Sequence, residues 1–520
     1  DDVTLTSLAS LRINTHTSPH RSPSLSPMSN RSPSKSPTKG SHHGGGDSKR
    51  LSLKNLSWGS VNSHHSASHH PPKDAAETDA MAKSVLFELT LSIDNRSELE
   101  CLSALTRLHQ YQAEDMGYYQ DALGREGACK AISVILSLFS ASTRICLETV
   151  KTISVLCQHT DFSRDSYHAE NTEGLGGHGT CFSVIKILSS ATHVSNADLV
   201  EETCRAIGKL ALSESNNKVM TNGGCCESLI ALIQQQQHEG GGLQGEGQQE
   251  EEGGVTATQP FHPAVTVQAV VALRHLSERQ ETMAHLLAIQ CCEAVVGALR
   301  YHQSDETTTL EILGTIIALG STSSTACAHL GEVGASQAVL DGVRCDDTRA
   351  NVFEKALVAV EVLLAIESNL PKLLQASICK TLVASLQIHA NVENVAINAC
   401  RVIQLFATNA IIRSKLSSAG VCDIMRTLFS AHMATPSVMQ AVCAAVATLA
   451  ANHTENKSQL TAAGVCEFVI LAIQKYSIGE SKLIGSALPP GSDLVVWQAC
   501  WALRMLSAGQ EENRTRLQAA

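Results

Sequence analysis

Apolar side chains recur at fixed offsets along most of the chain, with the spacing of amphipathic helices. A cysteine or serine stands at eight anchor positions, which are Cys129, Cys181, Cys226, Cys292, Ser336, Cys379, Cys422 and Cys466. The residues three and seven positions after every anchor are apolar, so anchor, +3 and +7 share one helical face. Leu or Met also stands six positions before each anchor. We therefore expect one helix to end before each anchor and a second helix to contain the anchor, with a turn between them.

The anchors mark a repeat. They are separated by 52, 45, 66, 44, 43, 43 and 44 residues. A further helix-rich stretch follows each anchor after about 20 to 35 residues, as in EETCRAIGKLA and INACRVIQLFA. Gly commonly stands two residues before the anchor, where a turn between helices needs a permissive backbone. A period near 43 residues with two or three helices per unit is typical of helical solenoids.

The spacing pattern also predicts the domain organisation. Residues 1–78 are rich in Ser, Pro and His and poor in apolar residues, so we expect a disordered tail. Residues 79–520 would form about eight to nine repeats, with the last one truncated because its next anchor would fall near position 523. The chain also begins with Asp1, which is typical of a fragment. The longer spacings predict loop insertions near residues 161–178, 234–263 and 478–492.

Charge and composition narrow the partner classes. The formal net charge is −11, although the first 73 residues carry nine Lys and Arg against three Asp and Glu. An acidic body lacks the concentrated basic footprint that phosphate backbones need, so we expect no nucleic-acid partner. No apolar run is long enough for a membrane span. Eighteen cysteines diluted through 520 residues favour reduced thiols in the cytoplasm, with the nucleus as the alternative.

The anchor cysteines could be nucleophiles, metal ligands or packing residues. A catalytic cysteine would be singular and paired with a base, whereas these recur in seven units. We interpret them as small buried hydrophobes, and extend that interpretation to Cys204, Cys400, Cys443 and Cys500 on the later helix. No phosphate-binding loop or zinc-protease motif occurs in a workable context. We therefore expect no enzyme activity, no metal site and no cofactor.

Two stretches show the repeat in full. The stretches are AVCAAVATLAANHTENKSQLTAAGVCEFVILAI and VVWQACWALRMLSAGQEENRTRLQAA, and both resemble armadillo repeats. The resemblance implies an all-α, armadillo/HEAT-like right-handed superhelical solenoid whose third helices line a concave groove. It also implies a protein-binding scaffold without catalytic chemistry.

Alignment of the repeats places nine candidate partner-binding residues in that groove, namely Lys151, Arg205, Lys209, Arg274, His275, Arg401, Gln404, Trp501 and Arg504. A basic inner face would attract an acidic or phosphorylated segment, although ordinary surface charge on amphipathic helices gives the same pattern. Importin-alpha-like repeats place Trp, and Asn four residues later, on the third helix. Here only Trp501 matches and no Asn does, which disfavours binding of nuclear signals.

The tail contains Ser-Pro pairs that resemble substrates of proline-directed kinases. The serines are Ser18, Ser22, Ser26, Ser32 and Ser36. Each phosphate would add about −1.5 to −2 charge to a basic segment. Compositional bias alone also produces such pairs, and both interpretations stay open.

Two functional hypotheses follow. The first is a non-catalytic protein-interaction scaffold that binds a partner segment in the groove. The alternative is the regulatory repeat region of a larger enzyme, a kinase or a ubiquitin ligase, whose catalytic domain lies outside this chain.

Overall fold

The computed structural model describes residues 75–114, 116–158, 167–239, 263–344, 349–477 and 489–519. They all belong to one compact unit, Ser68–Ala520. The described residues form helices and turns without any β-strand, which confirms the predicted all-α class. The expected tail lies outside the described residues up to position 74, as do its five Ser-Pro serines. The first helix begins at Ala75, slightly ahead of the expected boundary at residue 79.

The helices form a repeating series of three. Two helices precede the first complete unit, α1 (Ala75–Asn95) and α2 (Glu98–Glu114). The first four units contain α3 (Met116–Arg125), α4 (Ala128–Leu138) and α5 (Thr143–Leu156); α6 (Tyr167–Gly177), α7 (Thr180–Leu188), the short α8 (Ala191–Val194) and α9 (Ala197–Leu210); α10 (Glu214–Asn222), α11 (Cys225–Glu239) and α12 (Pro263–Leu276); and α13 (Gln280–Ala288), α14 (Cys291–Tyr301) and α15 (Glu306–Thr322).

The next four units repeat the series. They contain α16 (Ser324–Glu332), α17 (Ala335–Arg344) and α18 (Ala350–Leu364); a 3-10 turn (Glu367–Asn369), α19 (Leu370–Gln375), α20 (Ile378–His389) and α21 (Glu393–Ala407); α22 (Ala410–Ser418), α23 (Val421–His432) and α24 (Pro436–Ala450); and α25 (Thr454–Ala462), α26 (Val465–Ser477) and α27 (Ser492–Ser507). One more helix, α28 (Glu511–Ala519), follows. The order is therefore first, second and third helix in each of eight units, and every anchor is the second residue of a second helix.

Two of the expected insertions are shorter than predicted. Tyr167–Gly177, inside the insertion expected at 161–178, is the first helix α6 of its unit. Helix α11 extends to Glu239, past the start of the insertion expected at 234–263. Glycine and glutamine content, on which these boundaries were based, does not prevent a helix whose other face packs on the array. The third insertion, 478–492, lies mostly outside the described residues.

A left-handed residue turns the chain between the first and second helices. Six glycines hold this position with φ between 80° and 93°, namely Gly127, Gly179, Gly224, Gly334, Gly420 and Gly464. Gln290 and Ser377 hold it in the other two units, each with φ of 63°. The helices joined at Gln290 and at Gly464 are bent by 73° and 74°. The prediction of a permissive turn two residues before the anchor is confirmed.

The predicted apolar positions form the core. The anchor residues are 7% exposed or less, and the Leu or Met six residues before each anchor is fully buried. Full burial of one such side chain contributes about 1.5–3 kcal/mol. Because the pattern is repeated in every unit, the core runs continuously along the array instead of forming one centre.

Buried polar side chains of the first helices bind the carbonyl groups at the ends of the third helices. Asn369 Nδ2 donates to the Leu363 oxygen at 3.1 Å, and Asn456 Nδ2 donates to the Leu449 oxygen at 3.0 Å. In each case the asparagine stands ten residues before its anchor, and the carbonyl belongs to the third helix of the preceding unit. Carbonyls in the last turn of a helix lack an intrahelical donor, so the asparagine supplies one to Leu449 and adds a second to Leu363, which also accepts from Ile366 N at 3.3 Å.

The residue after that asparagine position binds the end of the third helix of its own unit. Arg413 donates through Nη1 to the Ala451 oxygen at the end of α24, and Lys457 donates through Nζ to the Ala508 oxygen at the end of α27. Asn217 Nδ2 donates to the Leu276 oxygen at 3.2 Å at the end of α12. Adjacent residues of one first helix therefore bind the ends of two successive third helices.

The first helices also fit one another by size. A Cβ atom on Gly331 would lie 1.7 Å from Asn369 Oδ1 of the next unit, and a Cβ on Gly176 would lie 1.5 Å from Asn216 Oδ1. Each glycine stands five residues before its anchor. The asparagine therefore fits only because the preceding first helix has no side chain there.

A second inter-unit bond lies at the corner between second and third helices. His432 Nε2 lies 2.7 Å from the Ala390 oxygen, and Tyr476 Oη donates to the Met433 oxygen at 3.0 Å. The accepting carbonyl stands eleven residues after the anchor of the preceding unit in both cases. His193 and Arg349 make the equivalent bonds elsewhere. The same carbonyl is thus bound by different side chains at different junctions.

We predict that Gly420→Ala destabilises the array by about 1–2 kcal/mol, because a side chain at φ 93° brings its Cβ against the following carbonyl. Denaturant-induced unfolding followed by circular dichroism measures the change. Gly177→Ala is the control, because Gly177 is exposed within α6 and no atom lies within 4 Å of its added Cβ. A Gly420→Ala protein as stable as the parent would contradict the role of the turn.

We predict strong coupling between Gly331 and Asn369. Gly331→Ala drives a Cβ into the amide, and Asn369→Ala removes the hydrogen bonds to the Leu363 and Cys327 oxygens, at about 1–3 kcal/mol. The double variant should lose about 1 kcal/mol less unfolding free energy than the sum of the two single-variant losses, because alanine at 369 leaves room for the new Cβ. The distant pair Gly331→Ala with Asn456→Ala should be additive. If the two pairs showed the same coupling energy, the steric fit between Gly331 and Asn369 would be refuted.

Candidate functional site: the third-helix face

The third helices pack side by side along the array. In the series α5, α9, α12, α15, α18, α21, α24 and α27, each helix before α27 contacts the next. Their inward residues are buried between units, and a row of half-buried and exposed residues stays open on the other side. We call this row the third-helix face. It is continuous over eight units of the described residues.

The nine sequence-predicted binding residues all lie on third helices, and all are half-buried or exposed. Lys151 lies on α5, Arg205 and Lys209 on α9, Arg274 and His275 on α12, Arg401 and Gln404 on α21, and Trp501 and Arg504 on α27. They are distributed along the face and do not meet in one pocket. The arrangement suits an extended ligand rather than a compact one.

Several of the predicted cations are already paired. Lys151 Nζ lies 2.9 Å from Glu148, and Arg205 lies 2.7 Å from Glu201 and 3.1 Å from Glu202. Sequence reasoning overlooked these carboxylates, although their spacing of three or four residues places them beside the cation on one helix. The N-terminal part of the face is thus of mixed charge, and not basic as predicted.

A fourth carboxylate that pairs with a cation of the face could not be predicted from residue spacing along one helix. Arg274 Nη1 lies 2.8 Å from Glu311 Oε2, which belongs to the third helix of the next unit. The two residues are 37 positions apart, so only the register between units brings them together. Lys209, Arg401 and Arg504 have no ion pair among the described residues, and neither does Lys355, which the sequence reasoning did not select.

Partial burial shifts the pKa of two carboxyls on the face. Burial raises the pKa of Glu361, and the positive charge of Arg401 opposes that shift. Burial likewise raises the pKa of Glu202, opposed by Arg205. Charges on this surface are therefore only partly hydrated, which strengthens their interactions with one another and with a ligand.

His275 is held neutral by its surroundings. Burial lowers its pKa, although a bond of its Nδ1 to the Gly208 oxygen at 2.9 Å acts in the opposite direction. The nearby charges of Arg274 and Lys209 also lower the pKa. His275 therefore contributes a hydrogen-bonding ring and not a positive charge near neutral pH, which corrects its place in the predicted basic set.

Trp501 belongs to an aromatic pair. Its ring lies 6.3 Å from that of Trp497, with an angle of 29° between the planes. Trp497 is 63% exposed and precedes Trp501 by one helical turn, so both rings lie on the same side of α27. In the preceding unit the residues that align with Trp501 and Trp497 are Ala444 and Gln440. The last described unit therefore adds an aromatic pair to the face, beside the exposed Arg504.

The cysteines do not offer a nucleophile at the anchors. Burial raises the pKa of the Cys129 thiol to about 11 and that of Cys422 to about 12. A protonated, buried thiol neither attacks a substrate nor binds a metal readily, which supports the packing interpretation. Cys500 differs, because it is exposed while the equivalent Cys443 is buried. Among the described residues no further third helix lies against α27, so the packing interpretation of Cys500 stays a prediction.

The described residues contain no group of three or more His, Cys, Asp or Glu side chains arranged to hold a metal ion. No single described helix has the length and apolar character needed to cross a membrane, although two bent helix pairs meet those criteria by length and composition alone.

Comparisons with known proteins agree with this architecture. An engineered protein matches with a TM-score of 0.59 at 15% identity, covering 84% of this chain and 95% of its own. A structure from work on a phosphorylation switch in the interaction between cadherin and beta-catenin matches with a TM-score of 0.54 at 15% identity, covering 82% of this chain and 69% of its own. No family model and no curated protein matches the chain.

A further match is partial. A designed armadillo repeat protein in complex with the peptide (KR)4 matches 54% of this chain at 20% identity, and its TM-score of 0.39 is too low to compare the folds. The likeness to the beta-catenin structure and the helix order described above show that this chain has the armadillo-repeat fold. Identity of 15% shows the fold alone.

We predict that acid weakens the array through His275. Its pKa is lowered in the folded protein, so the unfolded chain takes up the proton first and stability falls as pH drops below about 6.5. His275→Gln should therefore flatten the loss of unfolding free energy between pH 7.5 and pH 5.5. Exposed His178→Gln is the control. An unchanged pH profile in His275→Gln would contradict the assignment.

Proposed function

We propose that the chain is a non-catalytic scaffold whose third-helix face binds an extended segment of a partner protein. The continuity of that face over eight units is the observation that supports the proposal. Third helices in contact lie about 8–10 Å apart, a distance that an extended chain covers in about three residues. A segment could therefore present a side chain to each unit in turn.

The geometry favours a protein ligand over a small molecule. A cavity of about 80 Å³ between α4 and α7 is small beside the roughly 300–1,000 Å³ typical of small-molecule sites. The structural neighbour from work on cadherin and beta-catenin concerns an interaction between two proteins. These observations support a scaffold, and no described residue bears on the alternative of a regulatory region attached to an enzyme.

We further propose that the partner segment is acidic or phosphorylated, which is more specific than the fold alone supports. The support comes from cations of the face that have no ion pair among the described residues, namely Lys209, Lys355, Arg401 and Arg504. These side chains can bind an anion without first releasing a carboxylate. We also propose a cytoplasmic or nuclear location, supported by sixteen buried free thiols among the described residues.

We predict that Lys209→Glu with Arg401→Glu abolishes partner capture by the full chain. Both residues lack an ion pair among the described residues, so reversal places repulsive charge where the segment would lie, and at Arg401 it also removes the attraction to Glu361. Affinity capture followed by mass spectrometry, with binding of the identified segment remeasured in pure form, gives the result. Lys380→Glu with Arg426→Glu is the matched control, because both residues are exposed on second helices. Capture retained by the face variant would refute the proposal.

A further inference from the structure

Two cationic side chains from different helices converge on Gly314. Gly314 lies in the middle of α15, at the position that holds Val271 in the preceding unit and Val358 in the following one. A Cβ atom on Gly314 would lie 2.8 Å from Arg274 Nη1 and 3.4 Å from Lys355 Nζ. Both nitrogens are thus held near one point, and the absence of a side chain on Gly314 makes room for them.

The charges at this point are not balanced. Arg274 pairs with Glu311 at 2.8 Å, whereas Lys355 has neither an ion pair nor a hydrogen bond among the described residues. His275 adds no charge near neutral pH, because burial lowers its pKa. Glu361, on the same helix as Lys355, interacts with Arg401 on the other side. Two cations and one carboxylate leave one positive charge in a half-buried place.

We propose that Arg274 and Lys355 form a binding site over Gly314 for one carboxylate of an acidic protein segment. This inference rests on the proposed function and specifies the chemistry at one point of the face. The arginine has five donors, so it can keep Glu311 and still donate to a second carboxylate, while the lysine supplies three more. Half-buried Val271 and Val358 flank the site and reduce its hydration.

The net charge selects a monoanion. One carboxylate neutralises the excess positive charge, whereas a phosphate of about −1.5 to −2 would leave uncompensated negative charge beside Glu311. The acceptor is therefore an Asp or Glu side chain of the partner, and not a phosphorylated residue at this position.

Fluorescence anisotropy with a labelled peptide of alternating Glu and Gly residues tests the site in the full chain. Lys355→Gln should weaken binding about tenfold, because it removes a charge-assisted bond. Gly314→Ala keeps every charge but places a Cβ against Arg274, and should weaken binding to a similar extent. The obstructing atom is the far end of a flexible side chain, so this variant keeps its fold, which circular dichroism checks.

Two controls isolate the site. Lys380→Gln removes an exposed lysine of α20, and Gly177→Ala adds a methyl group in α6, so neither should change the affinity. Equal affinity of Gly314→Ala and the parent would overturn the proposal, since the geometry over Gly314 would then not matter. Tighter binding of the matched phosphoserine peptide, lost in Lys355→Gln, would overturn the assignment to a carboxylate.

The two proposals fail separately. If the Glu peptide binds with no sensitivity to Lys355 or Gly314 while partner capture still depends on Lys209 and Arg401, the site over Gly314 is wrong and the scaffold stands. If the peptide binds at Gly314 but partner capture survives charge reversal of Lys209 and Arg401, the site over Gly314 stands and the proposal for the whole third-helix face fails.

Discussion

The carbonyl groups at the C-terminal ends of the third helices set the main constraint on this structure. They have no partner within their own helices, and the stacking of units removes them from water. The first helices supply the donors: Asn369 and Asn456 reach the third helix of the preceding unit, and Arg413 and Lys457 reach the third helix of their own unit. A first helix that is polar yet buried is otherwise hard to explain. Here its polarity holds successive units together.

Stability and recognition are largely, but not fully, separated in this structure. Buried hydrogen bonds join units at the first helices and at the corners, whereas the side chains open to a partner lie on the third helices, where Arg274 and His275 also join adjacent units. Lys209 and Arg401 face a partner and have no ion pair among the described residues, so replacing either one removes no ion pair between units. The face can therefore vary from unit to unit, from charged residues on α9 to the Trp497 and Trp501 pair on α27.

The sequence allowed the repeat, the anchors, the left-handed turn and the location of the face to be predicted, because each depends on short offsets that recur in every unit. Features that depend on the register between units could not be predicted from the sequence. Arg274 meets Glu311, and Lys355 meets Gly314, only after two third helices have packed. The carboxylates around Arg205 were visible as neighbours three and four residues away and were overlooked. Cys500 matches Cys443 in sequence and differs only in what covers it.

The size fit between first helices has a further consequence for the cooperativity of the array. Where Gly331 receives Asn369, the junction contains a buried hydrogen-bonding amide, but the equivalent positions at two other junctions are Leu287 with Ala326 and Leu374 with Ile412. The array is thus a linear series of unequal couplings. The two apolar junctions lack the buried amide but are still crossed by the corner bonds of Arg349 and His432, so amide protons would exchange with solvent to different extents along the array.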